Sequence, residues 1–242
     1  IHHWVKNLTI FLPIIAAHKY SGLDLSELFF HFLNLSFLSS IIYLFNNVKD
    51  YESDKQNKIL KYQIIVNKKE LYYTACFVLF FIQLTYLILI NSSVWIVCIL
   101  YFTISILYNL KFKKIKYVDI LTIATFHILR VIYGSEAFNI ELSIYFILFC
   151  SLIFLMIGTN KRLIETKLGY KNRPYHLDQM LYLQIFQYLF ASLSAIIYLL
   201  YITSPDSIYL FKDLKIKILN FFIVLGMILN FLFNKNMEQD IV

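Results

Sequence analysis

Three observations predict an all-α fold, a polytopic bundle of transmembrane helices. Hydrophobic residues make up 60% of the 242-residue chain, charged residues only 15%, and the mean hydropathy is +0.66. The apolar residues form long continuous runs, most of which reach the roughly 17–25 residues that a spanning helix needs. Glycine and proline are scarce, with five and three copies, which does not suit the turns and alternating strands of a membrane β-barrel.

Eight apolar segments follow one another along the chain, and we expect each to be a helix. They cover residues 7–18, 25–47, 71–91, 93–109, 118–138, 142–160, 181–203 and 216–234. The first is the shortest and contains Pro13. The three cysteines all fall within apolar runs and lack metal-ligand spacing, so we interpret them as packing residues.

Basic residues concentrate in the loops after the second, fourth and sixth segments. These loops contain Lys49, Lys55, Lys58, Lys61, Lys68, Lys69, Lys111, Lys113, Lys114, Lys116, Lys161, Arg162, Lys167, Lys171 and Arg173. By the positive-inside rule, they should face the cytoplasm, with the protein in the cytoplasmic membrane. This topology explains most of the net charge of +7, so the charge indicates no nucleic-acid partner, and no protein partner is identified.

The most informative polar residues, Asn46, Asp50 and Asp54, stand at the end of the second segment, four positions apart. On a helix this spacing puts all three on one face, about 6 Å apart at each step. Two carboxylates on one stripe repel each other unless a cation lies between them. Mg²⁺ suits this arrangement because it takes one or two carboxylates and shares its remaining positions with water and substrate phosphates. The alternative is a helix that runs into a solvated, charged loop.

Arg130 lies near the middle of the fifth segment. An arginine at bilayer depth costs about 2.5–3.5 kcal/mol on insertion scales, so its side chain should face the bundle interior. We favour a role in which it grips a phosphate or carboxylate. An ion pair with an acid on another helix is the alternative.

Five blocks in the same order resemble the UbiA-type intramembrane prenyltransferase superfamily, in the subgroup that contains decaprenyl-phosphate phosphoribosyltransferase. They are His3-Trp4-Val5-Lys6-Asn7 with Pro13; Asn46, Asp50 and Asp54; Tyr108-Asn109-Leu110-Lys111 with Asp119, Leu129-Arg130 and Gly134; Lys161-Arg162 with Glu165; and Arg173, Tyr175 and Asp178. The similarity extends over essentially the whole chain. Two departures are Asn47, where the family usually has Asp, and the stretch 60–64, where it has basic residues.

The resemblance implies a single UbiA-like domain over residues 1–242, truncated at both ends relative to a family fold of nine helices around a central cavity. It implies Mg²⁺ dependence, with Asn46, Asp50 and Asp54 as catalytic metal ligands, and a membrane-embedded polyprenyl phosphate substrate with a phosphorylated donor. The implied substrate-binding residues are Lys6, Asn7, Lys111, Asp119, Arg130, Lys161, Arg162, Glu165, Arg173 and Tyr175.

The stretch after the sixth helix favours one donor. Many relatives with aromatic acceptors have a second acidic motif there, whereas residues 158–165 contain two cations and one acid. We therefore expect a monophosphate site at Lys161 and Arg162, with Lys111, and phosphoribosyl transfer from phosphoribosyl diphosphate to a polyprenyl phosphate. The alternatives are prenyl transfer to an aromatic or other acceptor, a non-catalytic lipid-phosphate-binding or transport protein, and a structural membrane subunit.

Overall fold

Helices form most of the computed structural model, which describes residues 4–17, 24–56, 68–90, 92–169, 174–205 and 213–233, and for 52–56 the backbone alone. The α-helices within these ranges are α1 (Leu12–Ala17), α2 (Leu25–Gln56), α3 (Lys69–Leu89), α4 (Trp95–Leu110), α5 (Val118–Ala137), α6 (Ile144–Lys167), α7 (Met180–Thr203) and α8 (Leu214–Phe233). Short 3₁₀ turns cover Val5–Phe11, Phe112–Lys114 and Leu177–Gln179.

The described residues of each of the eight predicted segments are largely helical, which confirms the all-α prediction. Within the described ranges, six helices are long and apolar enough to cross a membrane, namely α2, α3, α5, α6, α7 and α8, whereas Val5–Ala17 and α4 are shorter apolar helices. The largest boundary error is at α2, which continues from the predicted end at residue 47 to Gln56. No glycine or proline interrupts that stretch, so its polar residues extend the helix.

The chain divides into two compact units. Unit 1 comprises Ile1–Ile14, Tyr20–Lys114 and Leu129–Ile140, and unit 2 comprises Ile15–Lys19, Ile115–Ile128 and Glu141–Val242. Within unit 1, α2 packs against α3 and α4, and the rings of Phe80 and Phe102 stack with centroids 3.9 Å apart. Within unit 2, α6 packs along α7, and a core of Met156, Ala191 and Ile228 joins these helices to α8.

A close backbone approach fixes the N-terminal segment of unit 1 against α5. A Cβ added at Gly134 would overlap the carbonyl oxygen of Ile10, and that oxygen belongs to the backbone. We expect Gly134→Ala to destabilise the protein by about 1–3 kcal/mol, because the two segments must separate. Thermal unfolding in detergent measures this effect.

Gly226→Ala is the matched control for that substitution. Gly226 lies within α8, and an added Cβ would meet no described atom within 4 Å. Alanine is the better helix former, so this variant should be neutral or stabilised by up to about 1 kcal/mol. Equal unfolding temperatures for the two variants would contradict the assigned contact.

Candidate functional site

The end of α2 that we predict to face the cytoplasm carries the residues of the proposed metal site. The helix runs without a break through positions 46, 50 and 54, which confirms that their backbone is helical. Asn46 and Asp50 are half-buried, and the side chain of Asp54 lies outside the described atoms. Lys113, from the turn after α4, forms an ion pair with Asp50 and is itself only 8% exposed. Unit 1 therefore holds Asp50 in place with a nearly buried cation.

These oxygen donors fit a magnesium ion that draws most of its ligands from water and substrate. Asn46 and Asp50 offer an amide oxygen and a carboxylate, both hard ligands of the kind that Mg²⁺ prefers. Within the described ranges, no group of three or more His, Cys, Asp or Glu side chains could hold a metal ion. The described donors are too few for an all-protein cage, but they suit an ion shared with phosphate oxygens.

A second polar group in unit 1 surrounds Arg130, which is 3% exposed. Its Nε–H donates to Asn7 Oδ1 at 3.1 Å, and its guanidinium carbon lies 5.4 Å from the ring centroid of Tyr101. Asn7 has no exposed surface; its Oδ1 also accepts from the Ser39 hydroxyl, and its Nδ2 donates to Ser36, both at 3.1 Å. Because these bonds stay within the protein, Asn7 anchors Arg130, and the expected contact of Asn7 with substrate stays a prediction.

Unit 2 contains a buried ionic network around Arg162, which has no exposed surface. Its guanidinium forms ion pairs with Asp119 and with Glu165. The Tyr175 hydroxyl donates to Asp119 Oδ1 at 2.5 Å and accepts from the Tyr117 backbone N–H at 2.8 Å. Burial raises the pKa of Tyr175, and the hydrogen bond to Asp119 raises it further, so the hydroxyl stays a neutral donor. This network ties α5, α6 and the segment before α7 together.

Four of the residues that we expected to contact substrate, Asp119, Arg162, Glu165 and Tyr175, lie in this network. Arg162 is paired with two carboxylates and has no exposed surface, and the expected contacts of these four residues with substrate stay predictions. Two expected phosphate contacts keep accessible side chains: Lys111 is exposed and Lys161 half-buried. Arg173 lies outside the described residues.

The model of the UbiA prenyltransferase family matches residues 7–211. The chain belongs to the UbiA prenyltransferase family.

The relatives of this UbiA-family chain include two decaprenyl-phosphate phosphoribosyltransferases. The protein of Mycobacterium tuberculosis is 27% identical over 174 residues, which cover 69% of this chain and 58% of the relative. That of Corynebacterium glutamicum is 25% identical, with 67% and 51% covered. Nodulation protein NoeC of Azorhizobium caulinodans is 23% identical, with 68% and 54% covered. The chain thus spans about half the length of these relatives.

A solved structure shares the fold of this UbiA-family chain. It is a UbiA homolog from Archaeoglobus fulgidus bound to DMAPP and Mg²⁺, with a TM-score of 0.73 and 14% sequence identity. The match covers 97% of this chain and 84% of the other. At this identity the likeness establishes the fold, a polytopic helical membrane protein.

Sequence reasoning missed Lys113 as the ion-pair partner of the proposed metal ligand Asp50. We treated it as one of several lysines in a basic loop, whereas it is nearly buried and paired with Asp50, 63 positions earlier. The ion pair depends on α4 packing against α2, which no local pattern reveals. Ser36 and Ser39 were missed for the same reason, because only the fold brings α2 to Asn7.

Proposed function

We propose that this protein is a Mg²⁺-dependent membrane transferase that moves a phosphoribosyl group from phosphoribosyl diphosphate to a polyprenyl phosphate. The observation that carries the proposal is the pairing of Glu165 with Arg162 in unit 2. Glu165 is the one acid among residues 158–165, which form the last turns of α6, and its ion pair with Arg162 argues against a second metal site there. The names of the relatives from M. tuberculosis and C. glutamicum support the same reaction.

The protein does not need to activate the acceptor phosphate. In the transfer, the bond between ribosyl C1 and a diphosphate oxygen breaks, and the electron pair leaves with the diphosphate. An oxygen of the lipid phosphate forms the new bond to C1. A phosphate monoester has a second pKa of about 6, so it is largely a dianion at neutral pH and needs no base to become a nucleophile. The protein therefore has to orient two anionic substrates and stabilise the departing charge.

Each proposed site residue has a role in that task. Asp50, with Asn46 and Asp54, would hold Mg²⁺, which when bound neutralises charge on the leaving diphosphate. Lys113 orients Asp50 through their ion pair and adds a positive charge beside it. Lys111 and Lys161 keep accessible side chains and would contact substrate phosphates. Arg130 is too deeply buried for direct contact, so it would act on an anion through its charge.

The test compares two pairs of substrates on the purified protein, with and without Mg²⁺. Radiolabelled phosphoribosyl diphosphate with a polyprenyl phosphate should give a labelled lipid, in a Mg²⁺-dependent manner. A prenyl diphosphate with 4-hydroxybenzoate should give little or none. Product from the second pair alone would overturn the proposed donor and acceptor.

Prenyl transfer is the second candidate, and the observation in its favour is the shared fold with a UbiA homolog bound to DMAPP and Mg²⁺. The same assay distinguishes prenyl transfer from phosphoribosyl transfer. Substrate binding without turnover from either pair would instead indicate a diverged lipid-phosphate-binding protein.

We further propose that the protein lies in the cytoplasmic membrane with this site toward the cytoplasm. Lys116 is exposed in the basic loop before α5, and Ser93 is exposed between α3 and α4, on the expected opposite side. Cys76, Cys98 and Cys150 are buried, so background labelling should be low. An impermeant thiol reagent added to intact cells should label Ser93→Cys and leave Lys116→Cys unlabelled until the cells are opened. The reverse pattern would contradict the orientation.

A further inference from the structure

We propose that Lys113 competes with Mg²⁺ for Asp50, so that the metal ion binds tightly only together with a diphosphate, to which the Lys113 ammonium then moves. This inference rests on the proposed function, because it takes Asp50 as a metal ligand and the diphosphate as that of phosphoribosyl diphosphate. Lys113 would thereby couple two binding events at one site. Both residues belong to unit 1.

The ion pair between Lys113 and Asp50 joins two elements that pack through a third. Asp50 lies in α2, and Lys113 lies in the 3₁₀ turn Phe112–Lys114, which packs against α4. Helix α4 in turn packs against α2. The side chain of Lys113 is 10% exposed and that of Asp50 is 17% exposed, so the ammonium is held on the carboxylate with little access to water.

Charge balance makes Lys113 and Mg²⁺ competitors. Among the described side chains of the proposed metal site, Asp50 supplies the negative charge and Asn46 is neutral, so the ammonium already balances the carboxylate. Mg²⁺ lies about 2.0–2.1 Å from its oxygen ligands, so on this carboxylate it would come within about 5 Å of the ammonium. Like charges at that distance repel each other. The metal ion alone should therefore bind weakly while Lys113 remains on Asp50.

A diphosphate removes this conflict because it brings several negative charges of its own. Its oxygens can complete the coordination of Mg²⁺. They can also accept from the Lys113 ammonium, a compact charge on a flexible stem that can leave Asp50 without a movement of the backbone. Lys113 then exchanges one anionic partner for another, and Asp50 exchanges the ammonium for the metal ion. Each ligand thus favours the binding of the other.

The test measures binding of Mn²⁺, which prefers the same oxygen ligands as Mg²⁺. Isothermal calorimetry of the purified protein, with Mn²⁺ alone and with the preformed Mn²⁺–diphosphate complex, gives two affinities. The parent should bind the complex more tightly than the ion alone by about tenfold or more. No lipid acceptor is present, so failure of the proposed phosphoribosyl transfer leaves this test intact.

Lys113→Met should change the two affinities in opposite directions. Mn²⁺ alone should bind more tightly by about tenfold, because its competitor is gone, and the complex should bind more weakly by about tenfold, because the diphosphate loses its ammonium partner. A lysine that never leaves Asp50 would not give this reversal, since its loss would strengthen the binding of both. Lys113→Arg keeps the charge and should keep the parental preference for the complex.

Lys114→Met is the matched control for Lys113→Met. Lys114 is exposed in the same 3₁₀ turn, and the substitution removes the same charge. Because an exposed charge is screened by solvent, this variant should bind Mn²⁺ and the complex like the parent.

Three outcomes would overturn the proposal. They are a parent that binds the complex no more tightly than Mn²⁺ alone, a folded Lys113→Met whose two affinities do not move in opposite directions, and equal changes in Lys114→Met. If Lys113→Met does not fold, Lys113→Gln decides, because its amide can still donate to Asp50 without the charge. Opposite shifts in folded Lys113→Gln would support the competition, and any other pattern would reject it.

Discussion

Asp50→Asn should reduce Mg²⁺-dependent transfer by about 100-fold or more in a protein that remains folded. Outer-sphere partners of metal ligands typically contribute 10–100-fold, roughly, so loss of a proposed ligand should cost at least the upper end of that range. Asparagine keeps the shape of the side chain but removes its charge, which Mg²⁺ and Lys113 both require. Initial rates at saturating Mg²⁺ and its apparent affinity, measured in the same preparations, provide the test.

Two control variants test why Asp50→Asn should lose activity. Asp213→Asn changes an exposed aspartate that accepts from the Lys215 backbone N–H at 3.1 Å, and it should have the parental rate. The double variant Asp50→Asn with Lys113→Met removes both members of the ion pair. If Asp50 served only as the counter-ion of Lys113, this double variant would recover activity. If this double variant had a rate near that of the parent, the proposed role of Asp50 as a metal ligand would be contradicted.

Arg162→Met should be among the most destabilising single changes in unit 2, costing about 3–5 kcal/mol. The substitution leaves Asp119, with no exposed surface, and Glu165, at 7%, without the cation that neutralises them. Two uncompensated carboxylates in an apolar bundle repel each other and have lost their hydration. The apparent unfolding temperature in detergent should fall sharply.

The partners of Arg162 provide an internal check on that explanation. Adding Asp119→Asn and Glu165→Gln to Arg162→Met removes both negative charges, and should recover a large part of the lost stability, because a neutral buried group costs less than an uncompensated charge. Lys161→Met, at the neighbouring half-buried position, should change the unfolding temperature little. A silent Arg162→Met, or a triple variant no better than the single one, would contradict the buried network.

The helices could be predicted from the sequence because membrane burial acts on each segment separately. An apolar run of sufficient length needs no tertiary partner to be helical in a bilayer, since its backbone must satisfy its own hydrogen bonds. The register of Asn46, Asp50 and Asp54 could be predicted for a similar reason, because it depends on helical periodicity alone. The position where α2 ends was less certain, since the residues after 47 are polar and hydropathy gives no boundary there.

The roles of charged side chains could not be predicted in the same way. Arg162 and Lys113 both occur in basic stretches that suggest exposed, phosphate-binding side chains, yet they are 0% and 8% exposed. Their carboxylate partners include Asp119 and Asp50, more than 40 positions away in each case. Which cation is neutralised inside the protein and which remains available to a ligand depends on helix packing, and composition carries no information about that.

The length of α2 has a consequence for how two unlike reactants meet. Its 32 residues extend for about 48 Å, whereas the hydrocarbon layer of a bilayer is about 30 Å thick. If Leu25, just after the exposed Asp24, stands at one surface of that layer, the final turns with Asn46 and Asp50 extend into the headgroups and water at the other. A hydrated diphosphate could then arrive by three-dimensional diffusion, while a lipid arrives by lateral diffusion within the leaflet. Turnover should accordingly follow the mole fraction of acceptor lipid in a vesicle, rather than its bulk concentration.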